Sequence, residues 1–231
     1  QVTDISTMQV GDARYSLLCY ADGGIVDDIF IYRRPQDWLV VVNAANREKD
    51  VAWLQAHILG DAVSVKDISD ETYMLALQGP KAERILQEVA DANLSQLAFH
   101  TGSFAFVAGV SAYIGATGYT GEYGYELFFP VSEATRVWNA LLNAGKPHGL
   151  LPCGLAARDS LRFEACLALY GHEISADTDP VSAGLSWAIG FDKGDFIGRD
   201  ALLRVKLEGP RVRLVAFEMT EKAVPRQGYP V

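Results

Sequence analysis

"RYSLLCYADGGIVDDIFIYRR", residues 14–34, sets two apolar, aromatic and β-branched runs on either side of Asp-Gly-Gly. Such a break between strand-forming runs is a strong short-range hairpin signal. It predicts antiparallel strands over 14–21 and 28–34. The second run is entered through two adjacent acids, Asp27 and Asp28. Neighbours in an extended chain point to opposite faces. Asp28, Phe30 and Tyr32 therefore share one face, and Asp27, Ile29 and Ile31 the other. Solvent readily takes one of the two acids, so the other needs a reason. A carboxylate on an aromatic face suits a flat heteroaromatic ligand; it suits the exposed side of a hairpin equally well.

Outward from the hairpin, "DWLVVVNA" (37–44) reads as a third strand. "NREKDVAWLQAHI" (46–58) has a helical period, with Asn46 as N-cap and Val51, Leu54 and Ile58 on one face. "AVSVKDIS" (62–69) and "TYMLALQG" (72–79) read as strands, and "GPKAERILQEVA" (79–90) as a helix. An extended pattern fills 103–130. Helices are expected over 131–145, with Ser132 as N-cap, over 154–169 and over 198–209, and a last strand over 211–219. Mixed helices and hairpin-linked strands make an α+β fold with mainly antiparallel sheet.

The chain has 231 residues, 49% of them hydrophobic, which suits one large domain or two intertwined smaller ones. Its 20 basic and 29 acidic residues give a net charge of −9. That argues against nucleic acid, whose partners carry basic surfaces. No apolar run approaches the roughly 20 residues of a membrane helix. Cys19, Cys153 and Cys166 are odd in number and lie among apolar or small neighbours, as buried free thiols do in a reducing compartment. The four histidines show no metal-ligand spacing. A chain that starts at Gln1 and stops at "PRQGYPV" reads as a piece of a longer protein.

Two further stretches have the composition of a site. "TGYTGEYGYE" (117–126) packs glycines, tyrosines and two glutamates between strands. Its glycines allow close backbone approach to a ligand, or merely a turn. It is neither a phosphate loop nor a dinucleotide fingerprint. In "GLAARDSLRFEACLALYGHE" (154–173), Arg158 and Arg162 share a helix face. Arginine early in a helix opposes the helix dipole, which argues for a specific acceptor; an interdomain ion pair would also satisfy it.

These stretches occur together with "GDARYSLLCYADGGIVDDIFIY", "VVVNAANREKDVAWL", "LALQGPKA" and "DPVSAGLSWAI". In that order they resemble the aminomethyltransferase, or T-protein, family of the glycine cleavage system, over essentially the whole chain. The resemblance implies two interleaved α+β subdomains, about 1–70 and 71–207, around a folate pocket. It also implies the start of a C-terminal β-barrel over 208–231. It implies that Asp28 is the catalytic acid and Asp27 structural. Tyr15, Tyr119, Glu126 and Arg158 match folate-contacting positions, and Asn43 and Tyr170 lie in matching blocks. The implied substrate is tetrahydrofolate, the partner a lipoylated H-protein, and no metal is needed. The implied location is the cytoplasm of a bacterium or the mitochondrial matrix of a eukaryote. Two other readings remain open. One is a folate-dependent demethylase or the folate half of a dimethylglycine or sarcosine dehydrogenase. The other is a non-catalytic folate-binding protein, although its K-G-C-Y-x-G-Q stretch is missing here.

Overall fold

The computed structural model describes residues 1–60 and 62–222. Strands β1 (Ala13–Cys19), β2 (Ile25–Arg33) and β3 (Trp38–Val41) form one antiparallel sheet in that order. Strands β4 (Thr72–Gln78), β5 (Gly102–Val107), β6 (Val110–Gly115) and β7 (Gly124–Pro130) form a second, ordered β4-β7-β6-β5. The helices are α1 (Arg47–Ala56), α2 (Ala82–Gln87), α3 (Ala134–Gly145), α4 (Leu155–Glu164) and α5 (Arg199–Glu208). The α+β, antiparallel reading holds.

The opening hairpin forms, with Gly23 at φ 95° turning the chain. Its register pairs Tyr15 with Phe30, Leu17 with Asp28 and Leu18 with Asp27, and then slips so that Cys19 pairs with Ile25. Val26 is the extra residue of this β-bulge, a device that re-aims neighbouring side chains. Beyond it the alternation is as expected. Ile29 and Ile31 pack with Leu18, Val26, Trp53 and Leu54 beneath α1. Phe30 and Tyr32 turn to Tyr113 and Phe128 of the second sheet. The back of that sheet is covered by α2 and α3, through Ile85, Leu86, Val137 and Leu141 on Leu75, Ile114 and Leu127. The later chain returns to the first sheet: Ile174, Ile189 and Leu202 pack on Val2, Leu17 and Ile25. Burying so many aliphatic side chains, each worth about 1.5–3 kcal/mol when fully covered, holds the two sheets in one body.

Several expectations fail locally. Residues 62–69 carry no ladder. Arg47 instead grips Asp67 at 2.7 Å and Asp70 at 2.7 Å, and Asp67 accepts from the Ser69 N–H at 2.9 Å. Such a local carboxylate bond competes with strand pairing. Residues 211–219 are not a strand either; their backbone tie is Leu214 N–H to Ser182 O at 2.9 Å. Residues 223–231, the last part of the expected barrel start, lie outside the described residues. A 3₁₀ turn over Val131–Glu133 precedes α3, so Glu133 and not Ser132 is its N-cap. In α1 the one buried residue is Asp50, in place of an apolar face through Val51 and Ile58. The helix over 154–169 stops at Glu164. There Cys166 takes φ 56°, its N–H bonds Phe163 O at 2.9 Å and Leu167 N–H bonds Arg162 O at 2.9 Å. This is a Schellman closure with a non-glycine residue in the left-handed position. Cys19 is buried, but Cys153 and Cys166 are exposed.

Candidate functional site

The reason for the paired acids lies in the loop after β3. A 3₁₀ turn over Ala44–Asn46 sets Asn43 and Asn46 side by side above β2. Asn43 bridges the two acids, with Nδ2 2.9 Å from Asp27 Oδ1 and 2.7 Å from Asp28 Oδ1. Its backbone N–H gives Asp27 Oδ2 a bond of 3.0 Å. Asn46 heads α1 without capping it, because its amide donates to Asp27 Oδ1 at 2.6 Å. Asp27 is thus fully buried with three N–H donors. Asp28, half-buried on the other face, receives the Tyr15 hydroxyl on Oδ2 at 3.2 Å. That bond is diagonal across the β1–β2 ladder, within cross-strand reach. Burial first, and then the Asp27 charge, push the Asp28 carboxyl up to about 6, against the pull of the Asn43 and Tyr15 bonds. At neutral pH such a group accepts a proton readily and returns it. Burial and the neighbouring Asp28 also hold Tyr15 firmly protonated.

Four residues along the same face, about 13 Å at strand spacing, Tyr32 reaches the second sheet. Its hydroxyl lies 2.6 Å from Thr117 Oγ1 and 3.0 Å from Glu126 Oε2, and Thr117 donates to that same oxygen at 2.6 Å. Both hydroxyls converge on one oxygen, and no donor among the described residues binds Glu126 Oε1. Glycine makes this approach possible. A Cβ at Gly115 would lie 2.7 Å from the Tyr32 ring. Gly118 and Gly124 leave room for the Gln78 side chain, which donates to Thr117 O and Tyr125 O at 3.1 and 3.2 Å. The glycines of "TGYTGEYGYE" thus accommodate side chains packed inside the protein; they are more than a loose turn.

The Tyr119 hydroxyl is bound to Ala168 O, and the Arg158 guanidinium sits 4.6 Å from the Tyr119 ring centroid. Arg158 itself is exposed. Arg162, expected beside it, is instead buried in ion pairs with Glu173 at 2.6 Å and Asp159 at 2.8 Å. Arg162 therefore takes the structural reading, while Arg158 meets no carboxylate partner among the described residues. Tyr170 plays a supporting part: its hydroxyl bonds Ile25 O at 3.1 Å, and the Lys49 ammonium rests 4.1 Å from its ring centroid.

The structure thus gathers Tyr15, Asp28 and Asn43, and separately pairs Arg158 with Tyr119. Glu126 is tied to the Asp28 strand through Tyr32, and Tyr170 to the start of that strand through Ile25 O. Sequence reading missed Asn46, Tyr32 and Thr117 as supports. It also missed Trp187, which is 69% exposed and stacked on Tyr15 at 5.4 Å between centroids. Tyr32 was legible from its parity with Asp28; Trp187 had no local signal. Among the described residues no group of His, Cys, Asp and Glu is placed to hold a metal ion. Nor is any helix among them long and apolar enough to cross a membrane. The arrangement offers a poised carboxylate, aromatic faces, a cation and a second carboxylate with one oxygen that no described residue binds. Together these suit a flat, polar-edged ring system and proton transfer at its margin.

The chain is 52% identical over 229 residues to an aminomethyltransferase of Herpetosiphon aurantiacus, covering 99% of this chain and 62% of that protein. It is 51% identical over 229 residues to the aminomethyltransferase of Geobacillus kaustophilus, covering 98% and 63%. The chain therefore spans somewhat under two thirds of the length of these curated relatives. The fold superposes on the glycine cleavage system aminomethyltransferase T of Bartonella henselae with a TM-score of 0.77 at 33% identity, over 89% of this chain and 55% of that one. The family model described as the GCVT N-terminal domain matches residues 1–193, which span both sheets and the Asp28 cluster, and the chain belongs to that family.

Proposed function

We propose that this chain carries the folate site of a tetrahydrofolate-dependent aminomethyltransferase. In this reading an aminomethyl group arrives as a thioether-like adduct on the lipoyl arm of an H-protein. Its carbon passes to the two nucleophilic nitrogens of tetrahydrofolate. Those nitrogens give up two protons; one leaves with the ammonia and one restores the lipoyl thiol. The products are methylenetetrahydrofolate, ammonia and dihydrolipoyl protein, and no redox equivalent is consumed. Asp28 serves as the acid–base group that takes and returns these protons and faces the cationic charge that develops at the carbon. Asn43 and Tyr15 fix its two oxygens. Glu126 Oε1 receives the amino and ring N–H edge of the pterin, and Arg158 donates to the ring carbonyl. Tyr119 and Trp187 lend flat faces.

The single observation that carries the reading is the carboxylate pair: Asp27 wholly committed to N–H donors, and Asp28 half-exposed with a carboxyl pushed up to about 6. We take residues 1–70 and 71–207 as two α+β subdomains and 208–231 as the start of a barrel. The bacterial relatives favour a cytoplasmic setting. The test is methylenetetrahydrofolate and ammonia formation from aminomethyl-loaded H-protein, run beside dimethylglycine and sarcosine as alternative donors. Turnover with H-protein alone supports the reading. Turnover with a methylamine donor alone, or tetrahydrofolate binding without turnover, would replace it. Glu126→Ala is expected to weaken tetrahydrofolate binding well beyond Glu122→Ala, since Glu122 is exposed and carries neither hydroxyl.

A further inference from the structure

Beneath the paired acids lies a third, which the proposed reaction does not use. Asp50 is the one buried residue of α1 and is fully shielded from solvent. Both its carboxyl oxygens are buried, and neither has a hydrogen-bond partner among the described residues. It stands four residues after Asn46 and so on the same helix face, the face that covers Asp27. Its acidic neighbours are Asp27 and, more weakly felt, Asp28. The nearest cation, Lys49 Nζ, is 4.0 Å from Oδ1, but that ammonium is already given to Val26 O and to the face of Tyr170. Asn43 and Asn46 spend their N–H groups on Asp27 and Asp28.

Two carboxyl groups in contact in a dry interior share a proton or repel. Three N–H donors converge on Asp27 and none reaches Asp50, so the proton belongs on Asp50. We propose that Asp50 is a positioning residue in its neutral, proton-bearing form, its carboxyl O–H donating to Asp27 and so holding the Asp27–Asn43–Asp28 array in place. Burial, followed by Asp27, raises the Asp50 carboxyl well above the ordinary range, with Lys49 opposing. The O–H gives Asp27 a fourth donor and spreads its charge, which lightens the field that Asp27 exerts on Asp28. The catalytic part of this inference rests on Asp28 being the acid–base group proposed above; the protonation itself does not.

The test therefore has a physical arm and a kinetic arm. Asparagine at position 50 is neutral, of the same size, and keeps a donor for Asp27. Free aspartate titrates near about 3.9, so the stability that a protonated Asp50 lends is full below that value and is lost as pH rises to about 8, whereas asparagine has no proton to lose. The melting temperature of Asp50→Asn relative to wild type should thus climb from about pH 5 to about pH 8 and level off above. Carboxyl ¹³C NMR of wild type should show one aspartate, absent from Asp50→Asn, still protonated at pH 7. In the kinetic arm, Asp50→Ala should lower kcat by on the order of 10- to 100-fold with little change in folate KM. It should also move the acid limb of the pH profile upward, and Asp50→Asn should rescue both. Melting curves that stay parallel across that range, or an Asp50 resonance ionised at pH 7, would overturn the protonation. Asparagine no better than alanine would overturn the positioning role. If no variant, wild type included, turns over, the function proposed above fails, and the melting and NMR arm still decides the state of Asp50.

Discussion

Asp28 and Asp27 differ by one position and do different work, which substitution should separate. Asp28→Asn keeps shape and an acceptor oxygen but removes the charge and the proton site. It is expected to lower kcat by about 10²–10⁴-fold while tetrahydrofolate affinity, read by calorimetry, changes little. Asp27→Asn replaces one of its two accepting oxygens with an N–H group, which then faces at least one of the three N–H donors. Leaving such partners unmatched costs about 1–3 kcal/mol, so the expected loss is in urea-unfolding stability, and activity falls as a consequence of a loosened Asn43. The pH dependence follows from the same geometry. With the Asp28 carboxyl at about 6, activity should fall as pH drops through about 6 and the base is protonated. Stability runs the other way. Free aspartate titrates near about 3.9, so folding favours the protonated acid, and the contribution of Asp28 is full below about 4 and is lost as pH rises to about 6. Tyr15→Phe removes one of the two bonds that hold Asp28 ionised. Its acid limb should therefore lie at higher pH than that of wild type; a limb unchanged or moved lower would show that the hydroxyl does not reach the carboxylate in solution.

At the scale of elements, the site depends on β2 and β6 approaching through one small residue. Gly115→Ala would drive a methyl group into the Tyr32 ring. A forced repacking of this kind costs about 1–3 kcal/mol. Because Tyr32 and Thr117 steer Glu126, folate affinity should fall along with the melting temperature, and Gly149→Ala, which meets no neighbouring atom, should leave folate affinity untouched. The hairpin, the parity of Asp28 with Tyr32 and the α+β class were all legible, because alternation and helical period are local. What misled was polar competition. Asn46 looked like a cap and serves Asp27 instead, and "AVSVKDIS" alternates like a strand yet is pinned by Arg47. Such choices are made by partners distant in sequence, which no window of residues contains. The fate of Arg162 likewise depended on Glu173 and on a Schellman turn at a cysteine.

For the whole molecule, sequence order and packing diverge, as the segment that closes on the first sheet comes after both sheets are built. That segment and α4 leave large apolar groups in water, among them Leu155 at 83% and Phe163 at 65% exposure. Apolar surface of this extent favours association. Residues 1–231 in isolation are therefore expected to show concentration-dependent self-association by sedimentation velocity, weakened by Phe163→Ser; a monomer at all concentrations would contradict this. The same returning segment lays Trp187 over Tyr15, beside the proposed base. Of the four tryptophans in the chain, Trp187 is the most exposed, and it is the one stacked on Tyr15, where a ring bound beside Asp28 would meet it. The protein therefore carries its own optical gauge. Emission at long wavelength should dim as tetrahydrofolate is added, and Trp187→Phe should abolish most of that dimming, so occupancy can be followed by light with no label attached.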